Sequence, residues 1–171
     1  MRKVDWNSVP DQQDFKKLTP GGYICNITSA IDVPDKEYIK IEFDIAEGEF
    51  AGHYARLFEA KGWWGGRFVK SYKEKAQPMF KGFLTAVKNS NPGFQFNNDE
   101  SKLIGKVVGL VLAEEEYTKK DGAIGVRLYV DRPRSVEQIR KGEFEAPALK
   151  RIKTNPMPFG GVVIDDQDIP F

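Results

Sequence analysis

The clearest period in the chain lies at residues 38–45, where Ile39, Ile41, Phe43 and Ile45 alternate with Tyr38, Lys40, Glu42 and Asp44. A period of two sends one set to a buried face and the other outward, so this segment predicts a half-buried strand. Residues 23–30 (Tyr-Ile-Cys-Asn-Ile-Thr-Ser-Ala) also suit a pleated surface. They predict a strand opened by the Gly21-Gly22 turn and closed by the break at Val33-Pro34-Asp35-Lys36. Residues 48–52 turn the chain, and residues 54–59 read as a third strand. The spacing then lengthens. Val69, Tyr72, Ala76, Phe80, Phe83, Leu84 and Val87 recur mostly at gaps of three and four, which predicts helices over 67–76 and 78–89. Pro78 opens the second of them, since proline suits a first helical turn and not an interior. Alternation resumes in a fourth strand over 103–116, a hairpin turn at Lys119-Lys120-Asp121-Gly122 and a fifth strand over 124–131. In that last strand Val126, Leu128 and Val130 are expected to face in, and Arg127, Tyr129 and Asp131 out.

A short helix is expected over 135–142. Beyond residue 145 periodicity stops and Pro and Gly recur, so 146–171 reads as a flexible, disordered tail. The fold expectation is mainly β: a five-stranded OB-fold barrel with a helical insertion between strands 3 and 4. It occupies 1–145, including an N-terminal arm over 1–20, and is followed by the acidic tail.

Composition removes several classes of chemistry. The chain has 171 residues, with one cysteine, Cys25, and one histidine, His53. A structural zinc site wants four Cys or His ligands, and an internal disulfide wants two cysteines. His53 reads as a turn residue. No apolar run approaches the ~20 residues of a membrane helix, and the first residues lack the apolar stretch of a secretory leader, so a cytoplasmic protein is expected. Gly62-Trp63-Trp64-Gly65-Gly66-Arg67 lacks the Gly-Lys-Ser/Thr ending of a phosphate-binding loop. Glu114-Glu115-Glu116 is the one dense acidic run, but strand neighbours point to opposite faces, so the three cannot share one metal site. Neither cofactor nor metal is expected, and not an enzyme.

The net charge of +1 conceals an asymmetry. Residues 154–171 carry three Asp and no Lys or Arg, which leaves +4 on the rest; within 54–88 there are eight basic residues and two acidic ones. Aromatic residues interleave with those cations. Binding unpaired nucleic acid without sequence preference takes cations for phosphates and flat rings for bases. The candidates in this stretch are Tyr54, Arg56, Phe58, Lys61, Trp63 and Trp64, followed by Arg67, Lys70, Tyr72 and Lys73. Two adjacent tryptophans between glycines cannot easily both enter one core, so at least one should present its ring outward. Outward strand positions add Tyr38 and Lys40, and Arg127 and Tyr129. Phe80 and Phe83, at helical spacing with Leu84 and Val87, read as core.

The chain ends in Asp165-Asp166-Gln167-Asp168-Ile169-Pro170-Phe171. Physically this is a peptide ligand: Ile169 and Phe171 for an apolar pocket, and carboxylates for cations around it. The tip resembles the terminus of bacterial single-stranded DNA-binding proteins, a run of Asp followed by Ile-Pro-Phe, with Gln167 as a departure. The body is similar to phage- and prophage-encoded single-stranded DNA-binding proteins of Gram-positive hosts. That likeness lies in Leu18-Thr19-Pro20-Gly21-Gly22-Tyr23, in 38–43 with 48–52, and in Leu103-Ile104-Gly105-Lys106. The resemblance implies single-stranded DNA binding in phage replication and recombination. It also implies docking of replication, recombination and repair proteins through Asp165, Asp166, Asp168, Ile169, Pro170 and Phe171. A strand-annealing adaptor and a nucleic-acid enzyme are the alternatives, and a homodimer is compatible with the reading.

Overall fold

The computed structural model describes residues 1–9 and 16–152, with two two-residue strands beyond them, β6 (Asn155–Pro156) and β7 (Val162–Val163). The body is a five-stranded antiparallel sheet with three helices. Its strands are β1 (Gly21–Val33), β2 (Tyr38–Ile45), β3 (Arg67–Ser71), β4 (Val107–Thr118) and β5 (Ile124–Arg134). The helices are α1 (His53–Lys61), α2 (Gln77–Ser90) and α3 (Val136–Arg140).

The strand order is β3-β2-β1-β4-β5. β1 serves both halves: it pairs with β4 from Gly21↔Leu112 to Asn26↔Val107, and with β2 from Cys25↔Ile45 to Val33↔Tyr38. A bulge between Ile27 and Ser29 falls just past the point where one partner replaces the other. An extra residue there bends and twists the strand, so the sheet turns along β1. β3 and β5 are the edges, and no ladder joins them among the described residues, so the sheet is open where a closed barrel would pair them.

The inner face carries Ile27, Ile41, Phe43, Leu110 and Leu112, all at 1% exposure or less, and α2 adds Phe80, Phe83, Ala86 and Val87. The outer face of the β1–β4 half is covered as well: Val111 and Ala113 are fully buried. A Cβ on Gly109 would sit 2.4 Å from Cγ1 of Ile139 in α3, and one on Gly22 would sit 2.6 Å from the Phe144 ring. The absent side chains are what let α3 and the chain after it lie on bare backbone. Ser135 and Gln138 close a capping box on α3. The following segment then takes the stretch of β4 that β1 no longer reaches: Lys150 N–H donates to Glu114 O at 3.0 Å and Glu116 N–H to Lys150 O at 2.8 Å. The chain is thus still held to the body within the stretch expected to be free, while the acidic tip lies outside the described residues.

Several elements depart from the sequence reading. Residues 54–59 are not a strand but the middle of α1. Their helix start is satisfied from a distance: Asp44 Oδ1 accepts from the N–H groups of Ile45 (2.8 Å) and Tyr54 (2.9 Å), and Oδ2 from that of Ala55 (3.2 Å). Residues 67–71 are not helical but form β3, registered on β2 from Glu42↔Arg67 to Tyr38↔Ser71. Helicity begins with a 3-10 turn at Glu74–Ala76 and continues into α2, with Pro78 in its first turn as expected. β4 starts at Val107, after a 3-10 turn at Glu100–Leu103, and β5 runs on to Arg134. Val126, expected to face in, is 45% exposed, because β5 outruns the core near the hairpin tip.

Candidate functional site

A groove of about 490 Å³ lies between α1, the Gly62–Gly66 loop and the β4–β5 hairpin, with the arm before β1 along its edge. Its walls include Trp63, Lys61, Leu57 and His53 on one side and Val126, Arg127, Leu128 and Glu114 on the other; Lys16 and Lys17 enter from the arm.

The loop is built around two glycines. A Cβ on Gly66 would lie 2.3 Å from Phe43 O and 2.7 Å from the Tyr54 ring, and one on Gly65 would lie 2.8 Å from the Trp63 ring. Only bare backbone allows these approaches. The two tryptophans then part. Trp64 turns in, packs against the core and donates its indole N–H between Phe43 O (3.2 Å) and Gly66 O (3.1 Å). Trp63 lies across Gly65 with half of its surface exposed, at the groove mouth. The expectation that one ring would point outward holds, and Trp63 is that ring.

The expected site residues divide into groups. Lys61, Trp63 and Arg127 reach the groove, as does Tyr54, but Tyr54 is 7% exposed with its ring edge-on to Phe43 at 5.3 Å. It is core, not a stacking platform, and burial pushes its phenol pKa up. Arg56, on α1, is turned back to Ala51 O at 2.6 Å. Phe58 is half exposed and leans on Trp64 at 6.1 Å. Tyr54, Arg56 and Phe58, expected on a third strand, do not share a strand face, because these residues wind round α1.

Tyr38 and Lys40 do lie on the outer face of the sheet. Lys40 stands between Ile31 and Val69, and Tyr38 between Val33 and Ser71. Arg67 is on the same face opposite Glu42, its Nε–H donating to Trp64 O at 3.1 Å. Lys70, by contrast, is on the inner face of the β3 edge, 5.9 Å from the ring centres of both Phe68 and Phe83, and burial lowers its pKa. Tyr72 spends its hydroxyl on Asp32 at 2.9 Å, and Lys73 is exposed at the start of the turn into α2. Arg127 pairs with Glu115 at 3.0 Å and lies over Tyr117 at 4.9 Å; Lys150 lies over Tyr129 at 5.6 Å. Both aromatic–cation pairs are on the outer face of the hairpin.

The groove also holds cations the sequence reading passed over. Lys16 and Lys17 sit just before buried Leu18, and a basic pair next to an apolar anchor is the signal that could have found them. Lys16 pairs with Glu49, both largely exposed. Such a pair is worth about 1 kcal/mol or less, so an incoming phosphate can replace the carboxylate. Lys17 and Lys61 have no carboxylate within 4.0 Å among the described residues. His53 is kept from charging by burial and by Arg56, so near neutral pH it contributes as an uncharged ring. Burial pushes the Cys25 thiol well up, which removes it as a nucleophile. Among the described residues no group of three or more His, Cys, Asp or Glu could hold a metal ion, and no helix is long and apolar enough to cross a membrane. The three glutamates of β4 serve separate purposes: Glu114 lines the groove, Glu115 holds Arg127, and Glu116 accepts from Ile152 N–H at 3.1 Å. No protein-family model matches the chain, and no curated protein matches its sequence.

Proposed function

We propose that this protein binds single-stranded DNA without sequence preference, using the Trp63 groove and the adjoining outer face of β2 and β3. The observation that carries the reading is the half-exposed Trp63 ring at the mouth of a groove supplied with Lys17, Lys61 and the loosely paired Lys16. An unpaired base can stack on the indole while neighbouring phosphates meet the lysines. Exposed Lys40 and Arg67, with Tyr38, extend cationic and aromatic surface onto the sheet beyond the loop. The strand order supports an OB-type body, a partly open five-stranded barrel in which β1 is shared by two half-sheets and a helix lies between the third and fourth strands. The acidic tip is the proposed docking peptide for DNA-processing partners.

Titration with an oligothymidylate tests the reading. The oligomer should quench part of the tryptophan emission, with a midpoint that moves strongly to weaker binding as salt rises. Trp63→Ala should lose about 1–3 kcal/mol of binding, the usual value of one stacked base. Unchanged emission and unchanged mobility at saturating oligomer in low salt would sink the proposal.

A further inference from the structure

A second concavity, of about 550 Å³, opens away from the groove, at the far end of β1 and under the first turns of α2. Its floor is apolar: Ile39, Phe80, Leu84 and Phe96. Its rim is not basic. Asp32 and Glu100 stand there against a single cation, Lys81, and Glu37 lies close enough to act on Tyr72. Burial, the hydrogen bond to Asp32 and the charges of Asp32, Glu37 and Glu100 all push the Tyr72 phenol pKa up. A phosphate backbone is repelled by such a rim. The fitting occupant is a bulky apolar side chain carried next to cations.

The chain itself carries such a segment. In the arm, Asp5 closes a turn by accepting from Ser8 N–H (3.1 Å, backbone oxygen) and from Asn7 N–H (3.1 Å, side chain). The turn holds Trp6 out at 66% exposure, four and three residues after exposed Arg2 and Lys3. An arm so exposed leaves a large ring in water unless something covers it. Docking into its own pocket is geometrically expensive. The eleven residue steps of β1 from Gly21, beside the arm, to Asp32, at the pocket, span about 36 Å when straight. Trp6 and Lys16 are at most about 35 Å apart along a fully extended chain. An intramolecular route would have to carry the arm back along most of β1, whereas a second molecule faces no such limit.

We infer that the arm of one copy docks Trp6 into the Phe80–Phe96 pocket of a second copy, with Arg2 and Lys3 meeting Asp32 and Glu100, so that the protein self-associates through its arms. This inference does not rest on the DNA reading.

Sedimentation velocity of the full chain without nucleic acid, over a concentration series, tests it. The expected result is a reversible dimer whose dissociation constant rises by about tenfold or more on Trp6→Ala, as for a buried tryptophan anchor. Glu100→Lys should weaken the dimer similarly. Arg2→Glu with Lys3→Glu should do so too, and adding Glu100→Lys to that pair should restore part of the loss. Circular dichroism of each variant separates lost docking from lost folding, and Trp6→Ala, in an exposed arm, leaves the body intact. A monomer at every concentration overturns the inference. So does a dimer indifferent to Trp6→Ala and Glu100→Lys, and so does a monomer in which Glu100→Lys shifts the Trp6 emission, which would place the arm in its own pocket.

Discussion

Three backbone N–H groups converge on the carboxylate of Asp44, which is 6% exposed. Two of them belong to the first turn of α1, where orphan donors and the helix dipole both favour an anion. Asp44→Ala would leave those donors buried without partners, so it should lower stability by about 2–3 kcal/mol in urea unfolding. Asp44→Asn keeps an oxygen acceptor and should cost about half as much. Equal losses in the two variants would mean that the retained oxygen acceptor contributes nothing and that the charge at the helix start carries the whole effect. The alternation over 38–45 placed Asp44 on the outer face, and it is there that α1 begins. Its role as a cap was not legible, because the two α1 donors lie ten and eleven residues from the acceptor and no local pattern joins them. The tryptophan pair was half legible. That both rings could not enter one core follows from their adjacency; that Trp64 is the inner one depends on Phe43 O and Gly66 O, which are known only once β2 and the loop have met.

At the scale of elements, β1, β2, α2, the β4–β5 hairpin and α3 could be read from period and punctuation. α1 and β3 could not, and they were exchanged in kind. Residues 54–59 mix aromatic and small residues that suit a strand, and Gly52 offers no side-chain cap to announce a helix. Residues 67–71 share apolar spacing with the helix that follows; pairing with β2 overrides it. β3 is also an exposed edge five residues long, and it carries Lys70 on its inner side. An inward charge on an edge strand hinders docking of a foreign strand, and natural sheets use it so. Lys70→Met should therefore raise the thermal midpoint by relieving a desolvated cation, yet increase aggregation on standing, with oligothymidylate affinity unchanged. A clear loss of DNA affinity in that variant would return Lys70 to the binding surface.

At the scale of the molecule, charge is sorted by place. Lysines line the groove, carboxylates rim the far pocket, and the acidic terminal stretch carries three Asp without a compensating cation. Composition made the last of these visible; the other two required the fold, since Asp32 and Glu100 are far apart in sequence. Deleting Ile169-Pro170-Phe171 should abolish capture of DNA-processing partners while oligothymidylate affinity stays equal or rises. Pull-down and titration on the same preparation check this, and retained capture with weakened DNA binding would reverse the proposed role of the tip. β1, the strand shared by two half-sheets, also sets an order of events during synthesis. Its second half meets β2 within a few residues. Its first residues, Gly21 to Ile24, have no ladder partner until Gly109–Leu112 has been made, more than eighty residues later. At about 5–20 residues per second that interval is several seconds. For that time the nascent chain exposes an open strand edge that includes Tyr23 and Ile24, and it is then, rather than in the finished protein, that the body is most vulnerable to pairing with the wrong strand.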